Sequence, residues 1–302
     1  MIHAENLTKR FKETLAVDNL NLDVNEGEVF GFLGPNGAGK TTTVRMLASL
    51  IAPTQGSAKV AGYVLGKQDT DIRRKIGVLT ETPGMYDNLS AEYNLRIFAE
   101  LCEVKNVSAQ IEKYLKMLGL WERRFDAAGT FSKGMKQKLA IARALLHEPQ
   151  ILFLDEPTAG LDPESAHLVR EFIVELKKEG RTIFLCTHNL DEADHLCDRV
   201  CVFKTRLLVV DTPDRLRTSV FGRKVIFHLR SADSRLAEQV RKLTFVHDIK
   251  VVENKLLITL DNPEAENPEI TRVLVAAGAD IQFVGELRHS LEDVYLQLVK
   301  SA

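Results

Sequence analysis

The segment that most restricts the fold is the octapeptide GPNGAGKT at residues 34–41, which matches the pattern G-x-x-x-x-G-K-[ST] in full. It follows the apolar run Val29–Leu33 and precedes a helical pattern that starts at Lys40. A run that is apolar on both faces is typical of a buried parallel strand. Strand, glycine loop and helix in this order form half of a β-α-β crossover unit. The segment therefore predicts an α/β fold with a parallel sheet.

The same loop predicts phosphate binding. Glycine allows the backbone to curl with its N–H groups pointing inward, and the helix that follows adds its positive N-terminal end. Lys40 would reach the β- and γ-phosphates, and the Thr41 hydroxyl would ligate Mg²⁺. The alternative is a glycine-rich turn without a ligand, which fits less well with a position between a buried strand and a helix. The predicted phosphate contacts are Gly34, Pro35, Asn36, Gly37, Ala38, Gly39, Lys40, Thr41 and Thr42.

Two adjacent acids end a second apolar run, residues 151–154. Ligands of open α/β sheets bind at the carboxyl ends of the strands. There Asp155 would hold Mg²⁺, directly or through water, and Glu156 would act as the base for the water that attacks the γ-phosphorus. The alternative is that both acids simply end a strand at the surface. The complete phosphate loop favours the metal and base roles, because Mg²⁺ needs an oxygen ligand beside the phosphates.

The remaining patterns predict two domains. The first, residues 1–218, is expected to be a doubly wound α/β core with an inserted helical subdomain at about 84–148. The second, residues 219–302, is expected to be a small α+β domain. Its strands are predicted at 225–229, 255–260 and 281–287, and its helices at 235–243, 269–277 and 291–299.

Composition narrows the class of partner. Forty basic and 42 acidic residues leave a net charge of -2, which argues against nucleic acid as a partner. No apolar run approaches the roughly 18 residues of a membrane-spanning helix, and no signal peptide is expected at the start. Action at a membrane would therefore require another protein.

The four cysteines include a C-x-x-x-C pair, Cys197 and Cys201, with His188 and His195 as candidate zinc ligands. Nothing repeats the ligand spacing of zinc modules, so reduced and partly buried thiols are the favoured interpretation. A cytosolic setting agrees with reduced thiols.

The order of further segments resembles the nucleotide-binding domains of ABC transporters over about residues 1–215. The segment FSKGMKQK at residues 131–138 resembles the signature LSGGQ, keeping Ser132 and Gly134 but carrying Lys133 and Met135 at the third and fifth positions. The resemblance implies that residues 132–135 face the γ-phosphate bound by an opposite subunit. An ordinary helix N-cap is the alternative role of Ser132.

Four further residues acquire roles through this resemblance. Asp162, in the segment TAGLD, would lie near the seam of a dimer, and His188 would be the switch histidine that touches the γ-phosphate. Phe11 lies where the family places an aromatic ring against adenine, although a core position is the alternative. Glu81 lies where the family has a glutamine that contacts Mg²⁺. The glutamate adds a negative charge near the triphosphate.

The resemblance implies an ATP-binding and ATP-hydrolysing subunit, Mg²⁺-dependent and similar to the motors of type-2 ABC exporters. Its expected partners are an integral membrane permease and a second nucleotide-binding subunit, arranged head to tail. It would be cytoplasmic and peripheral at the inner face of the cell membrane. The tail resembles a small appended domain, expected to regulate or to stabilise a dimer. One alternative is a soluble ABC ATPase that acts in translation or DNA maintenance, although neither a second cassette nor a long coiled coil is visible. Another is a module that binds ATP without hydrolysis, against which Glu156 and His188 argue.

Overall fold

The computed structural model describes residues 1–80 and 84–300, so Glu81 lies outside the described part of the chain. The chain divides into two compact units, Met1–Thr212 and a C-terminal unit that begins at Pro213. The helix that starts at Pro213 belongs to the second unit, where it packs against the last helix. The boundary predicted at residue 218 falls inside that helix and stays a prediction.

The helices and strands are numbered in chain order. The described strands are β1 (Ile2–Phe11), β2 (Thr14–Val24), β3 (Val29–Leu33), β4 (Gln55–Val60), β5 (Tyr63–Val64), β6 (Ile76–Leu79), β7 (Ile151–Asp155), β8 (Thr182–Thr187), β9 (Arg199–Lys204), β10 (Arg206–Asp211), β11 (Arg223–Leu229), β12 (Asp248–Val252), β13 (Lys255–Leu260) and β14 (Ile281–Glu286). The described α-helices are α1 (Lys40–Leu47), α2 (Asp69–Lys75), α3 (Ala91–Leu101), α4 (Val107–Met117), α5 (Lys133–Leu145), α6 (Pro163–Lys178), α7 (Leu190–Leu196), α8 (Pro213–Phe221), α9 (Ser234–Arg241), α10 (Pro263–Ala276) and α11 (Leu291–Lys300). Two 3-10 turns, Trp121–Arg123 and Ala128–Thr130, lie between α4 and α5.

Within the described residues, the central sheet of the first unit has the order β10-β9-β3-β8-β7-β6. The strands from β9 to β6 run parallel, and β10 pairs antiparallel at the edge. Every residue of β3, β7 and β8 is buried, which confirms the parallel core predicted from their apolar runs. Because parallel strands end at the same edge, the segments after these three strands meet in space.

A second sheet of the first unit is antiparallel, in the order β2-β1-β4-β5. Its apolar face packs with the central sheet into one core, in which Leu7 and Leu20 accompany Phe32 and Phe184. Strands β1 and β2 span 10 and 11 residues. Their pairing contains register shifts, which bend the hairpin.

Helices α3 to α5 form the predicted helical segment. Ser90 caps α3 by accepting a hydrogen bond from the backbone of Tyr93, and Ser132 caps α5 in the same way from Met135. Both serines satisfy a backbone N–H that the first helical turn leaves free. The caps therefore explain why α3 begins at Ala91 and α5 at Lys133.

The C-terminal unit contains an antiparallel sheet, described in the order β12-β13-β11-β14, with α9 and α10 against its apolar face. The predicted strands and helices are present, with one further strand, β12, that was not predicted. Helix α10 starts at Pro263 rather than at residue 269. Asn262 caps it, and Pro268 lies inside the helix. The first predicted residue therefore lies in the second turn.

Cys186, Cys197 and Cys201 are buried, whereas Cys102 is exposed. Burial raises the pKa of the buried thiols, because it disfavours the thiolate. The described residues contain no group of three or more His, Cys, Asp or Glu side chains that could hold a metal ion. In the same part of the chain, no helix has both the length and the apolar character needed to cross a bilayer.

Candidate functional site

The phosphate loop and the two acids predicted from the sequence line one cleft of about 360 Å³ in the first unit. A larger cavity of about 540 Å³ lies between α6 and α7, but none of the predicted phosphate contacts lines it. The smaller cleft is the functional candidate, because buried groups of opposite charge converge there. Its lining residues are Thr14, Leu15, Ala16, Pro35, Asn36, Gly37, Gly39, Lys40, Thr41, Thr42, Asp155, Glu156 and His188.

The loop requires glycine where its backbone touches other backbone. A Cβ at Gly34 would overlap the carbonyl oxygen of Phe203. A Cβ at Gly39 would overlap the carbonyl oxygen of Ala16, and the φ of Gly39 is +104°. An L side chain rarely adopts such a φ. These two positions therefore fix the path of the loop between β3 and α1.

Lys40 folds back over the loop. Its ammonium donates hydrogen bonds to the carbonyl oxygens of Gly34, at 2.7 Å, and Pro35, at 3.4 Å. The residue is only 7% exposed. A buried cation that lies above the N-terminus of α1 makes this loop strongly attractive to an anion.

Thr41 and Asp155 come together from the first turn of α1 and the end of β7. The Thr41 hydroxyl donates to Asp155 Oδ2 at 2.8 Å, and the aspartate is buried. A hydroxyl and a carboxylate at this separation are hard oxygen donors of the kind that Mg²⁺ takes. The pair therefore fits the metal role predicted for these two residues.

Glu156 occupies the centre of the cleft's charged groups. Its Oε1 lies 2.8 Å from His188 Nδ1 and 3.8 Å from Lys40 Nζ. Its backbone N–H donates to the carbonyl oxygen of Cys186 at 2.9 Å, so the segment after β7 is tied to β8. Its φ is +52°, an uncommon value for a residue other than glycine. The structure thus brings together Lys40, Glu156 and His188, which the sequence predicts separately.

The signature residues lie elsewhere in the same unit. The Ser132 hydroxyl accepts from Met135 N–H at 3.2 Å, so its N-cap role is present. A Cβ at Gly134 would approach Ser165 Oγ to 2.5 Å, which places the start of α5 tightly against α6. The Lys133 ammonium lies where a side chain on Gly160 would be. None of residues 132–135 lines the cleft of the same copy.

Asp162 caps α6 by accepting a hydrogen bond from Ser165 N–H at 2.9 Å. That hydrogen bond lowers the pKa of Asp162 below its usual value, and the aspartate is exposed. Asp162 also does not line the cleft. Its predicted role at a dimer seam stays a prediction.

Phe11 ends β1, with its ring about half exposed and the Lys9 ammonium 5.0 Å from the ring centre. It does not line the cleft, whereas Thr14, Leu15 and Ala16, on the paired strand β2, do. Sequence reasoning missed these three residues because no motif marks them. Their position results from the β1–β2 turn and from the close approach of Ala16 to the phosphate loop.

Sequence reasoning also missed Gln137, a buried residue of α5. Its Nε2 donates to the carbonyl oxygen of Pro157 at 2.9 Å. The hydrogen bond links the signature helix to the segment directly after Glu156. An amide among the apolar residues on the buried face of α5 was the available signal.

A family model described as ABC transporter matches residues 17–159. The bacitracin transport ATP-binding protein BcrA of Bacillus licheniformis is 37% identical over 301 residues, which cover 99% of this chain and 97% of that protein. The linearmycin resistance ATP-binding protein LnrL of Bacillus subtilis (strain 168) is 32% identical, over 92% of this chain and 91% of its own. A fluoroquinolones export ATP-binding protein of Mycobacterium tuberculosis is 40% identical, over 74% of this chain and 75% of its own.

Solved structures agree with the fold. An ATP-binding subunit of an ABC transporter superposes with a TM-score of 0.67 and 31% identity, over 74% of this chain and 94% of that one. An ATP-binding cassette solved as a dimer in a post-hydrolysis state, bound to ADP and Pi, gives a TM-score of 0.65 and 27% identity, over 70% of this chain and 98% of that one. With a relative 37% identical along nearly the whole chain, the protein belongs to the family of ABC transporter ATP-binding subunits.

Proposed function

We propose that the chain is the Mg²⁺-dependent ATPase motor of an ABC exporter, and that it drives a separate integral membrane permease. One observation supports the ATPase role most strongly. Lys40, at the start of α1, lies in the same cleft as Asp155 and Glu156 at the end of β7. Burying three charged groups in one place costs stability, and a triphosphate with its metal would offset that cost. Relatives whose names specify transport or export support the exporter role.

Each residue of the cleft would have its own role in hydrolysis. The loop N–H groups and Lys40 would hold the phosphates. Glu156 would take the proton of the attacking water, while the water oxygen bonds to the γ-phosphorus and the bond to the bridging oxygen breaks. ADP and phosphate are then the products. His188, in contact with Glu156, would orient the carboxylate and meet the γ-phosphate.

Thr41 and Asp155 would hold Mg²⁺, and Glu81 is proposed as a further ligand on the family resemblance alone. The metal would neutralise charge on the phosphates during transfer. Phe11 is proposed to face adenine, although its ring lies outside the cleft in this structure.

A second copy would complete the site. The signature residues do not line the cleft of their own copy. We place them against the nucleotide of a partner arranged head to tail. These residues are Ser132, Lys133, Gly134 and Met135. The family neighbour solved as a dimer supports this arrangement. Asp162, exposed at the start of α6, would lie at the same seam. The ATPase subunit would bind at the inner face of the cell membrane. We propose that the permease determines which substrate is exported.

The central test is the substitution Glu156→Gln. The amide keeps the size of the side chain but cannot accept the water's proton, so phosphate release should fall about 10²- to 10⁴-fold. ATP affinity should stay within about threefold of wild type, because Lys40 and the loop are intact. Both quantities are measured on the full-length chain, by steady-state phosphate release and by equilibrium titration with ATP.

Glu238→Gln is the matched control, since it makes the same change on the exposed side of α9 in the C-terminal unit. It should leave both quantities unchanged. Phosphate release at the wild-type rate by Glu156→Gln would remove Glu156 from its role. Undiminished release in the presence of EDTA would remove the metal from the proposal.

A further inference from the structure

The hydroxyl of Thr187, at the end of β8, lies between two buried carboxylates. Its Oγ1 is 3.0 Å from Glu192 Oε2 and 3.5 Å from Glu156 Oε2. The same oxygen accepts a hydrogen bond from Asn189 N–H at 3.0 Å. Thr187 thus connects the acid at the centre of the cleft with an acid on α7.

A hydroxyl has one proton to donate, so it can serve only one of the two carboxylates at a time. The shorter distance assigns the proton of Thr187 to Glu192. Glu156 then keeps Oε2 free of a strong donor from this side. A hydrogen bond donated to a carboxylate stabilises its charged form and makes it a weaker base.

Glu192 is unusual for a residue outside the cleft. It is 2% exposed, and its Oε1 has no hydrogen-bond partner among the described residues. Burial raises the pKa of Glu192, and nearby hydroxyl groups oppose the rise. A carboxyl group buried with one oxygen unpaired destabilises the fold, so a role in structure alone explains it poorly.

We propose that Glu192 is a positioning residue for ATP hydrolysis. By accepting the Thr187 hydroxyl, it keeps that hydroxyl away from Glu156 and so preserves the basicity of the catalytic carboxylate. The inference rests on the proposed role of Glu156 and adds a residue that does not touch the nucleotide.

Glu192→Met tests the inference by removing the acceptor while keeping an unbranched side chain of similar length. The Thr187 hydroxyl then has Glu156 as its remaining acceptor, and kcat for phosphate release should fall about tenfold. KM and ATP affinity should stay within about twofold of wild type.

The decisive variant is the double substitution with Thr187→Val, which removes the hydroxyl but keeps the branched shape. Without a hydroxyl to redirect, loss of Glu192 should cost nothing, so the double variant should recover kcat to within about threefold of wild type. Thr187→Val alone should also stay within about threefold. The matched control combines Glu192→Met with Thr187→Ser, which keeps a hydroxyl and should stay slow. A purely structural role of Glu192 would lower Tm but could not produce this recovery.

Wild-type kcat in a folded Glu192→Met variant overturns the inference, as does a double variant with Thr187→Val that is as slow as Glu192→Met. If Glu192→Met does not fold, a tenfold loss of kcat in Thr187→Val overturns it independently. Glu156→Gln in the same assay distinguishes a failure of the Glu192 inference from a failure of the proposed function. When that variant is inactive, a negative result concerns Glu192 alone. When that variant turns over normally, the proposed function fails as well.

Discussion

The two units of the chain bury very different groups. Every buried polar or charged residue in the described part of the chain belongs to the first unit, namely Glu28, Lys40, Thr43, Asn94, Gln137, Asp155, Glu156, Thr182, Thr187 and Glu192. The core of the C-terminal unit is apolar throughout, built around residues such as Phe227 and Leu256. Its charged side chains pair at the surface instead.

This difference separates residues kept for chemistry from residues kept for stability. Three of these ten residues, Lys40, Asp155 and Glu156, line the cleft, where burial of charge is costly without a ligand. A core of apolar side chains adds stability through burial alone. We therefore expect the first unit to carry the reaction and the C-terminal unit to be inert toward ATP.

The largest expected effect is a loss of stability in the C-terminal unit. Phe227 is fully buried, and Phe227→Ala would leave a cavity that lowers the free energy of unfolding of this unit by about 4 kcal/mol. ATP affinity should not change. Chemical denaturation and ATP titration of the same preparation measure the two quantities. Weaker ATP binding by this variant would contradict the assignment of ATP binding to the first unit alone.

Lys40→Ala should have the opposite pattern: it should weaken ATP binding without lowering the stability of the C-terminal unit. The ammonium lies 2.7 Å from the loop carbonyl oxygen of Gly34 and would donate to the phosphates, so ATP affinity should fall about 100-fold, the loss of one or two charge-assisted hydrogen bonds. The free energy of unfolding of the C-terminal unit should not change, because Lys40 belongs to the first unit. Lys59→Ala, which changes an exposed lysine of the same unit outside the cleft, is the control and should leave ATP affinity unchanged. ATP affinity within twofold of wild type in Lys40→Ala would contradict the assignment of the cleft.

The sequence was most informative where a local rule decides the structure. The run Val29–Leu33 is buried on both faces, and Ser132 marks where α5 begins, because a cap acts within the first turn of its helix. The grouping of Lys40 with Asp155 also followed, since parallel strands end at one edge.

What the sequence did not predict depends on contacts between distant segments. Helix α7 is a single short helix rich in charge, so its periodicity is too brief to read. Ala16 reaches the cleft only through the packing of one sheet on another. Glu192 resembles any surface glutamate in the sequence, and only the fold shows that it is buried beside Thr187.

The smallest expected effect concerns a surface ion pair of the C-terminal unit. Arg223, on β11, binds both carboxylate oxygens of Glu264, on α10, and also contacts Glu286 on β14. The hydrogen bonds from Arg223 lower the pKa of Glu264 to about 2. Because this value lies below the ordinary pKa of a glutamate, the pair contributes its full stability above that ordinary pKa. The contribution is lost as the pH falls through about 2. Glu264→Gln should therefore lower Tm slightly at pH 7, and the difference from wild type should shrink in acid. A Tm difference that grows in acid would contradict the depressed pKa, and any change in ATP affinity would contradict the separation of the two units.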